Sequence, residues 1–228
     1  MIYLNSGGEM SRIARVVVPN YFYHITQRGN NRQEIFIKDD DRRKYLLWMN
    51  EYKRKSNVEI FSYCLMNNHV HFIGRPLMKD SLAKLFHIVQ VRYAQYFNKS
   101  HGNNGHLWQS RYYSCILDEK HFAAAVRYVE RNPVRAGIVD QPWRWPWSSA
   151  AHHIGAGKSI LELENIRNFI PEDRWQDFLS EPDRSGDLQS IRKLTQSGRV
   201  WGSEEYIEKL ERIIGMKLTE PSMGRPKK

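Results

Sequence analysis

Two histidines separated by one apolar residue, His69 and His71, carry the spacing that most directly indicates chemistry in this sequence. Alternate residues of a β-strand point to the same face of the sheet, so both imidazoles would leave a strand side by side. A strand can present two ligands to one metal ion in this way. Two partly exposed histidines without any ligand would give the same triplet, so the spacing alone does not establish a metal site.

A tyrosine and an asparagine four residues apart form the second candidate. Tyr128 and Asn132 would lie on the same face of a helix, where the Asn132 amide oxygen could join the two histidines on a metal ion. A tyrosine hydroxyl beside a metal ion can attack a phosphate, because the ion stabilises charge on the phosphoryl oxygens. The alternative is a core tyrosine followed by a helix-terminating Asn132-Pro133 pair, and the spacing by itself favours that alternative.

The charge of the chain indicates the class of its partner. The 228 residues include 35 Lys and Arg against 25 Asp and Glu, which gives a formal net charge of +10 and a pI near 9.6. Such an excess favours a polyanion, with nucleic acid as the first candidate. The apolar runs are far shorter than the about 20 residues that cross a bilayer, so we expect no membrane span. Two cysteines are too few for a disulfide framework, which favours a cytoplasmic protein.

The elements that must position these residues follow one another as strand, helix, strand, strand, helix, strand and a further helix. Strands are predicted at residues 21–28, 58–66, 69–74 and 107–117, and helices at 39–55, 81–98 and 118–131. This order is typical of an α+β, ferredoxin-like βαββαβ fold with one four-stranded antiparallel sheet. In that topology the first and third strands are central and two helices cover one face. The other face is left for the extra helix and a ligand.

Two segments of the chain resemble a known family. Residues 63–71, Tyr-Cys-Leu-Met-Asn-Asn-His-Val-His, resemble the metal-binding strand of the HUH single-tyrosine transposases. Residues 107–113, Leu-Trp-Gln-Ser-Arg-Tyr-Tyr, and 127–137, Arg-Tyr-Val-Glu-Arg-Asn-Pro-Val-Arg-Ala-Gly, are similar to the REP-associated tyrosine transposases, relatives of bacterial insertion-sequence transposases. The likeness begins at Met10 and covers nearly the whole chain.

The resemblance implies a role for each of the residues singled out above. His69 and His71 would bind a divalent metal ion, Asn132 would be its third ligand, and Tyr128 would be the nucleophile. Two imidazoles and one amide leave positions for water and phosphate oxygens, which favours Mg²⁺ or Mn²⁺. Because a free tyrosine has a pKa of about 10, some group must take its proton. A metal-bound hydroxide and His24, on the neighbouring central strand, are the two candidates.

The resemblance also implies an activity, a substrate and a domain organisation. The expected enzyme cuts single-stranded DNA beside a palindromic hairpin and leaves a covalent 5′-phosphotyrosine and a free 3′-OH. It is expected in the cytoplasm, associated with the nucleoid, and as a monomer, with a dimer, as in the related mobile transposases, as the alternative. An RNA substrate on the same fold and a non-catalytic hairpin-binding protein remain as alternatives. Residues 10–140 would form the nuclease domain and 141–228 a mostly helical extension with a basic tail, while 1–9 would be an upstream start or an addition.

Basic and aromatic side chains near strand ends and at the C-terminus are the expected DNA contacts. Single-strand binding surfaces combine cations with rings on which bases stack, and flexible basic arms add affinity by releasing counterions. The predicted contacts are Arg28, Arg32, Arg111, Tyr112, Arg225, Lys227 and Lys228.

Overall fold

The sheet at the centre of the fold has one strand more than the sequence predicts. The computed structural model describes residues 17–167, 169–170 and 174–218, and within them five strands pair in the order β2-β3-β1-β4-β5. The first four are antiparallel and β5 runs parallel to β4. The strands are β1 Phe22–Arg28, β2 Val58–Leu65, β3 His69–Pro76, β4 Tyr113–Leu117 and β5 Val200–Trp201.

This arrangement confirms the α+β, ferredoxin-like order and the central positions of β1 and β3. The four-strand count was too low, because the C-terminal part of the chain returns to the sheet and adds β5 beside β4. The fourth strand also begins later than predicted. Residues 107–112 run past the end of β1 instead, where the amide of Gln109 donates to the carbonyl of Arg28 and Gly29 bridges to Trp108.

The helices of the described residues follow the predicted pattern through α3. The helix α1 has an acidic first turn and a basic last turn, which suit the helix dipole, and Asp118 caps α3 by accepting from the amide of His121. None of the described helices is long and apolar enough to cross a membrane. The helices are α1 Asp39–Lys55, α2 Ser81–His101, α3 Glu119–Glu130, α4 Asn132–Arg135, α5 Ala150–His153, α6 Trp175–Ser180, α7 Ser185–Ser197 and α8 Glu204–Ile214.

The two faces of the sheet are covered by different helices. The helices α1 and α2 bury the face that carries Ile25 and Phe72, together with an aromatic cluster around Tyr45 and Tyr93. The helix α3 packs on the opposite face, and α7 lies beside it against β4. The second face is therefore more enclosed than the sequence predicts, because the extra helix shares it with a helix of the C-terminal extension.

Candidate active site

Polar side chains of β1 and β3 converge on the face of the sheet that α3 covers. Alternation along the two strands turns His24, Thr26 and Arg28 of β1 and His69 and His71 of β3 to this face. The antiparallel register places Thr26 opposite His71 and Arg28 opposite His69. All five line one cavity of about 290 Å³. Its other walls are formed by Met66, Tyr128, Asn132, Arg135, Ala136, Arg192, Thr195 and Gln196.

The hydrogen bonds of His69 decide which of its nitrogen atoms can bind a ligand. Its Nδ1 lies 2.7 Å from Oδ1 of Asn68, whose Nδ2 donates to the carbonyl of Arg32 at 3.0 Å. Because this second bond fixes the orientation of the amide, Oδ1 is the acceptor and Nδ1 of His69 carries the proton. The lone pair of Nε2 is then available. Histidine ligands of metal ions are usually oriented by an outer partner of this kind.

The ring of His71 is held in a comparable way. Its Nδ1 lies 2.9 Å from Nε2 of His24, so a ligand can bind only at Nε2, and this requires that the proton of the ring lies on Nδ1. Only about 5% of His71 is exposed. Burial lowers the pKa of His71 well below its ordinary value, and the neighbouring His69 and His24 lower it further. At neutral pH the ring is therefore neutral, as a metal ligand must be.

Burial has the same effect on the two neighbouring rings. It lowers the pKa of His69 to about 4, and the nearby charges of Arg28 and Arg135 add to the shift. It lowers the pKa of His24 to about 3, again with a contribution from Arg135. All three histidines are neutral near pH 7 because burial and the positive charges around the cavity both disfavour the imidazolium.

Tyr128 lies against these rings. Its centroid is 5.6 Å from that of His71 and 5.5 Å from that of His24, with ring planes nearly perpendicular in both cases. The guanidinium carbon of Arg135 lies 4.3 Å from the centroid of Tyr128, on the face of its ring. The structure therefore brings a tyrosine, two neutral histidines and a cation together in one cavity.

Asn132 lies at the break between α3 and α4 and lines the same cavity. Its Nδ2 donates to the carbonyls of Tyr128 at 3.1 Å and Val129 at 3.3 Å. The amide nitrogen is thus used within the helix, and the amide oxygen is the atom left for a ligand. Pro133 in the first turn of α4 marks the helix break that the Asn132-Pro133 pair predicts.

The donor set fits a hard divalent cation. Two imidazole nitrogens and one amide oxygen leave positions for water and for a substrate oxygen, as Mg²⁺ and Mn²⁺ prefer. Among the described residues, no group of three or more histidine, cysteine, aspartate or glutamate side chains is arranged to hold a metal ion. Within the described residues, no carboxylate or thiolate therefore lies beside His69 and His71 to complete a tetrahedral zinc site.

The predicted DNA contacts differ in how they relate to the cavity. Arg28 is exposed at its wall, whereas Arg32 and Arg111 are exposed but do not line it. The prediction for Tyr112 as a base-stacking ring was wrong, because its ring is about 5% exposed and packs 5.0 Å from Phe86 in the core. The residues Arg225, Lys227 and Lys228 lie outside the described part of the chain.

The comparisons with known proteins identify the family. The sequence profile described as "Transposase IS200 like" matches residues 17–132, which is just over half of the chain and includes His69, His71, Tyr128 and Asn132. The chain belongs to the IS200-like transposase family. The resemblance to tyrosine transposases is thereby confirmed, and the family is one of enzymes that cut and transfer DNA strands.

Relatives of this IS200-like transposase support the same family. A protein of Haemophilus influenzae, described by its name as a REP-associated tyrosine transposase, is 24% identical over 148 residues, which are 57% of this chain and 84% of that protein. The solved structure of a REP-associated tyrosine transposase bound to a REP hairpin superposes with a TM-score of 0.52 at 21% identity. It covers 69% of this chain and 93% of that chain, and at this identity it establishes a shared fold.

Seven of the thirteen residues that line the cavity were missed by the sequence reasoning, and four of them carry the argument below. Arg135 follows Tyr128 by seven residues, two helical turns, so its proximity could have been predicted from spacing. Arg192, Thr195 and Gln196 come from α7, beyond the part of the chain that matches the family. No local pattern connects α7 with the histidines, because the contact depends on how the C-terminal extension returns to the sheet.

The segment that leads into α7 is fixed to the helices α3 and α4. The carboxylate of Asp183 lies within 3.5 Å of three guanidinium groups, those of Arg127, Arg131 and Arg135. Arg127 also donates to the carbonyls of Glu181 and Pro182. The residues 181–187, which have the composition of a linker, are therefore held against the helix that carries Tyr128.

We expect Asp183→Asn to lower the free energy of unfolding by about 3 kcal/mol, because it leaves three largely buried guanidinium groups facing one another without a counter-charge. Chemical denaturation followed by circular dichroism measures the change. The matched control is Asp140→Asn, which removes an exposed partner of Arg144 and should change stability by less than about 1 kcal/mol. Equal effects of the two substitutions would contradict the structural role of Asp183.

Proposed function

We propose that this IS200-like transposase is a metal-dependent single-strand DNA endonuclease and strand transferase. It cuts beside a hairpin-forming repeat and becomes linked to the 5′ phosphate through Tyr128. The observation that carries the proposal is the position of Tyr128, 5.6 Å between ring centroids from His71 in the cavity where both candidate ligands offer Nε2.

The proposed chemistry is a single displacement at phosphorus. Oη of Tyr128 attacks the scissile phosphodiester, the Oη–P bond forms as the P–O3′ bond breaks, and the 3′ oxygen leaves as a hydroxyl after taking up a proton. A 3′-OH that attacks the phosphotyrosine reverses the reaction and joins two strands. His69, His71 and Asn132 would hold Mg²⁺ or Mn²⁺, which supplies charge stabilisation on the phosphoryl oxygens.

Two further groups of the cavity suit this reaction. Arg135, on the face of the Tyr128 ring, places a positive charge beside the position where negative charge develops on the phenol oxygen and the phosphate. His24 does not suit the role of proton acceptor, because both of its ring nitrogens lie at hydrogen-bond distance from other side chains. In this proposal the phenol proton passes to solvent in the cavity.

The choice of a DNA hairpin as substrate rests on charge and on family. The net charge of +10 and the arginines Arg28 and Arg192, exposed at the cavity wall, favour an anionic strand. The solved relative described above is bound to a REP hairpin. Hairpin recognition is the simplest extension of these observations to this chain.

The groups proposed for cleavage all come from a single chain. Tyr128 contacts the rings of His24 and His71 of the same molecule, so no second copy is needed to complete the set. This arrangement supports the proposal that the protein acts as a monomer. Sedimentation equilibrium of the protein alone should give the mass of one chain, 27.1 kDa. With the DNA hairpin added, the mass should rise by that of one oligonucleotide, whereas a complex that contains two chains would contradict the proposal.

End-labelled oligonucleotides on a denaturing gel test the proposed function. A single-stranded DNA hairpin with flanking sequence and Mn²⁺ should give a covalent protein band when the label is at the 3′ end. The 5′-labelled strand should give only a shorter free product. An RNA-directed enzyme that uses the 2′-OH would cut the matched RNA hairpin without an adduct, and a non-catalytic binder would shift the hairpin on a native gel and produce no cleavage.

A further inference from the structure

A line of hydrogen bonds connects the C-terminal extension with His71. Oγ1 of Thr195, on α7, lies 2.7 Å from Nδ1 of His24, and Nε2 of His24 lies 2.9 Å from Nδ1 of His71. The ring planes of the two histidines are within 12° of each other and their centroids are 5.1 Å apart, so the rings meet edge to edge. Thr195 and His24 are about 2% and 1% exposed, so water does not compete for these bonds.

We propose that Thr195 and His24 are positioning residues, which hold His71 in the tautomer that presents the lone pair of Nε2 to the metal ion. This inference rests on the proposed function, because it assigns His71 as a metal ligand. It extends that function by giving α7, which lies beyond the family match at residues 17–132, a part in building the site.

Counting protons leaves two possible arrangements of the hydrogen bonds, and only one of them frees Nε2 of His71. A neutral histidine has one N–H, and the pair His24–His71 shares a single proton across the contact between them. When Nδ1 of His71 donates, its Nε2 is free, and the single proton of His24 lies on Nδ1 and donates to Oγ1 of Thr195. When His24 donates from Nε2 instead, the proton of His71 lies on its Nε2 and prevents metal binding.

The hydroxyl of Thr195 makes the metal-binding arrangement possible, because its oxygen can accept the proton on Nδ1 of His24. In this arrangement the hydroxyl proton of Thr195 can be donated to Sγ of Cys115, which lies 3.2 Å from Oγ1. Without the Thr195 oxygen, Nδ1–H of His24 would be buried and unpaired, which is costly. The proton of His24 would then move to Nε2 and force His71 into the tautomer that cannot bind a metal ion.

The position of α7 makes this contact well defined. Ile191, one turn before Thr195, is fully buried in the core on this face of the sheet, and α7 packs against β4. Arg192 and Gln196 of the same helix line the cavity. The helix therefore contributes to the cavity from one side while its buried side holds Thr195 against His24.

The test compares Thr195→Val with Thr195→Ser in the full-length protein. Valine keeps the shape of threonine but removes the hydroxyl, whereas serine keeps the hydroxyl. Two readouts are used: the Mn²⁺ dissociation constant, from the electron paramagnetic resonance signal of free Mn²⁺, and the tautomer of His71 in metal-free protein, from ¹⁵N shifts of labelled histidine. The His71 signals are assigned by comparison with His71→Gln.

We expect Thr195→Val to raise the Mn²⁺ dissociation constant about 10- to 100-fold, the usual effect of removing an outer partner of a metal ligand. The same variant should move the proton of His71 from Nδ1 to Nε2. Thr195→Ser should restore both readouts. Unchanged Mn²⁺ affinity and an unchanged tautomer in the valine variant would overturn the proposal.

A second pair of variants keeps the test decisive if Thr195→Val does not fold. His24→Gln retains an oxygen that can accept from Nδ1 of His71, whereas His24→Leu retains no acceptor. Mn²⁺ affinity should therefore be close to wild type in the glutamine variant and lower in the leucine variant, and equal affinities would contradict the proposal. Failure of the proposed function would give a different result, since the wild-type protein itself would then bind no Mn²⁺ through His69 and His71. The tautomer of His71 could still be measured in that case, and it would report on the hydrogen bonds alone.

Discussion

Tyr128→Phe is expected to abolish DNA cleavage and the covalent adduct while leaving hairpin binding within a few-fold of wild type. The substitution removes one oxygen, the atom proposed to form the bond to phosphorus, and the loss of a nucleophile typically costs roughly 10⁴-fold or more in rate. The structure gives the hydroxyl no hydrogen bond to another described residue. The phenylalanine ring should therefore pack in the same place and change stability by less than about 1 kcal/mol.

Single-turnover cleavage of a labelled hairpin measures the rate, and fluorescence anisotropy measures binding. Tyr21→Phe is the matched control, since Tyr21 is partly buried against the ring of Tyr206 and lies outside the cavity. A Tyr128→Phe protein that nicks DNA at a rate comparable to wild type would show that another residue or a water molecule is the nucleophile.

His69→Ala is expected to remove Mg²⁺- and Mn²⁺-dependent cleavage and to leave the fold intact. His69 is partly exposed, so its loss removes a proposed ligand but little of the core. His71→Ala should have the same effect on cleavage and in addition destabilise the protein by about 1–3 kcal/mol, because its ring is buried. Asn132→Ala should be milder, since water can replace one neutral oxygen ligand.

Cleavage rates over a Mn²⁺ titration and denaturation curves separate the two effects. His87→Ala, at an exposed position of α2 on the other face of the sheet, is the control. EDTA should reproduce the histidine variants. Because burial lowers the pKa of His69 to about 4, Mn²⁺ binding should hold down to about pH 5, well below the ordinary range of histidine. Activity that survives EDTA, or that requires Zn²⁺ alone, would refute the assignment of these ligands.

The fold was predictable from local patterns because most of its elements are specified by nearby residues. The alternation of β1 and β3 and the apolar stripes of α1 and α2 identify strands and helices, and their order limits the topology. Two residues such as Val200 and Trp201 carry no comparable pattern. The strand β5 exists because the chain returns to an edge that β4 leaves open, which only the folded structure reveals.

The candidate site likewise contains some residues that local spacing identifies and others that it does not. His69 and His71 are neighbours on a strand and Tyr128 and Asn132 on a helix, so short-range spacing identifies both pairs. The contact between His24 and Thr195 joins residues 171 positions apart, and no local rule predicts it. Tyr112 illustrates the opposite error, because an aromatic residue beside an arginine has the composition of a binding surface but packs in the core.

The late arrival of β5 has a consequence for how the protein is made. While the chain is being synthesised, β4 is complete roughly 80 residues before its partner Val200–Trp201 leaves the ribosome. At ordinary rates of translation this interval is on the order of ten seconds. During it the backbone groups of β4 form a free strand edge, which can pair with another nascent chain. Thr195 belongs to the same segment of the chain and is synthesised at nearly the same time. A nascent chain or a prematurely terminated product therefore lacks the contact between Thr195 and His24. We expect only the finished protein to reach full nuclease activity.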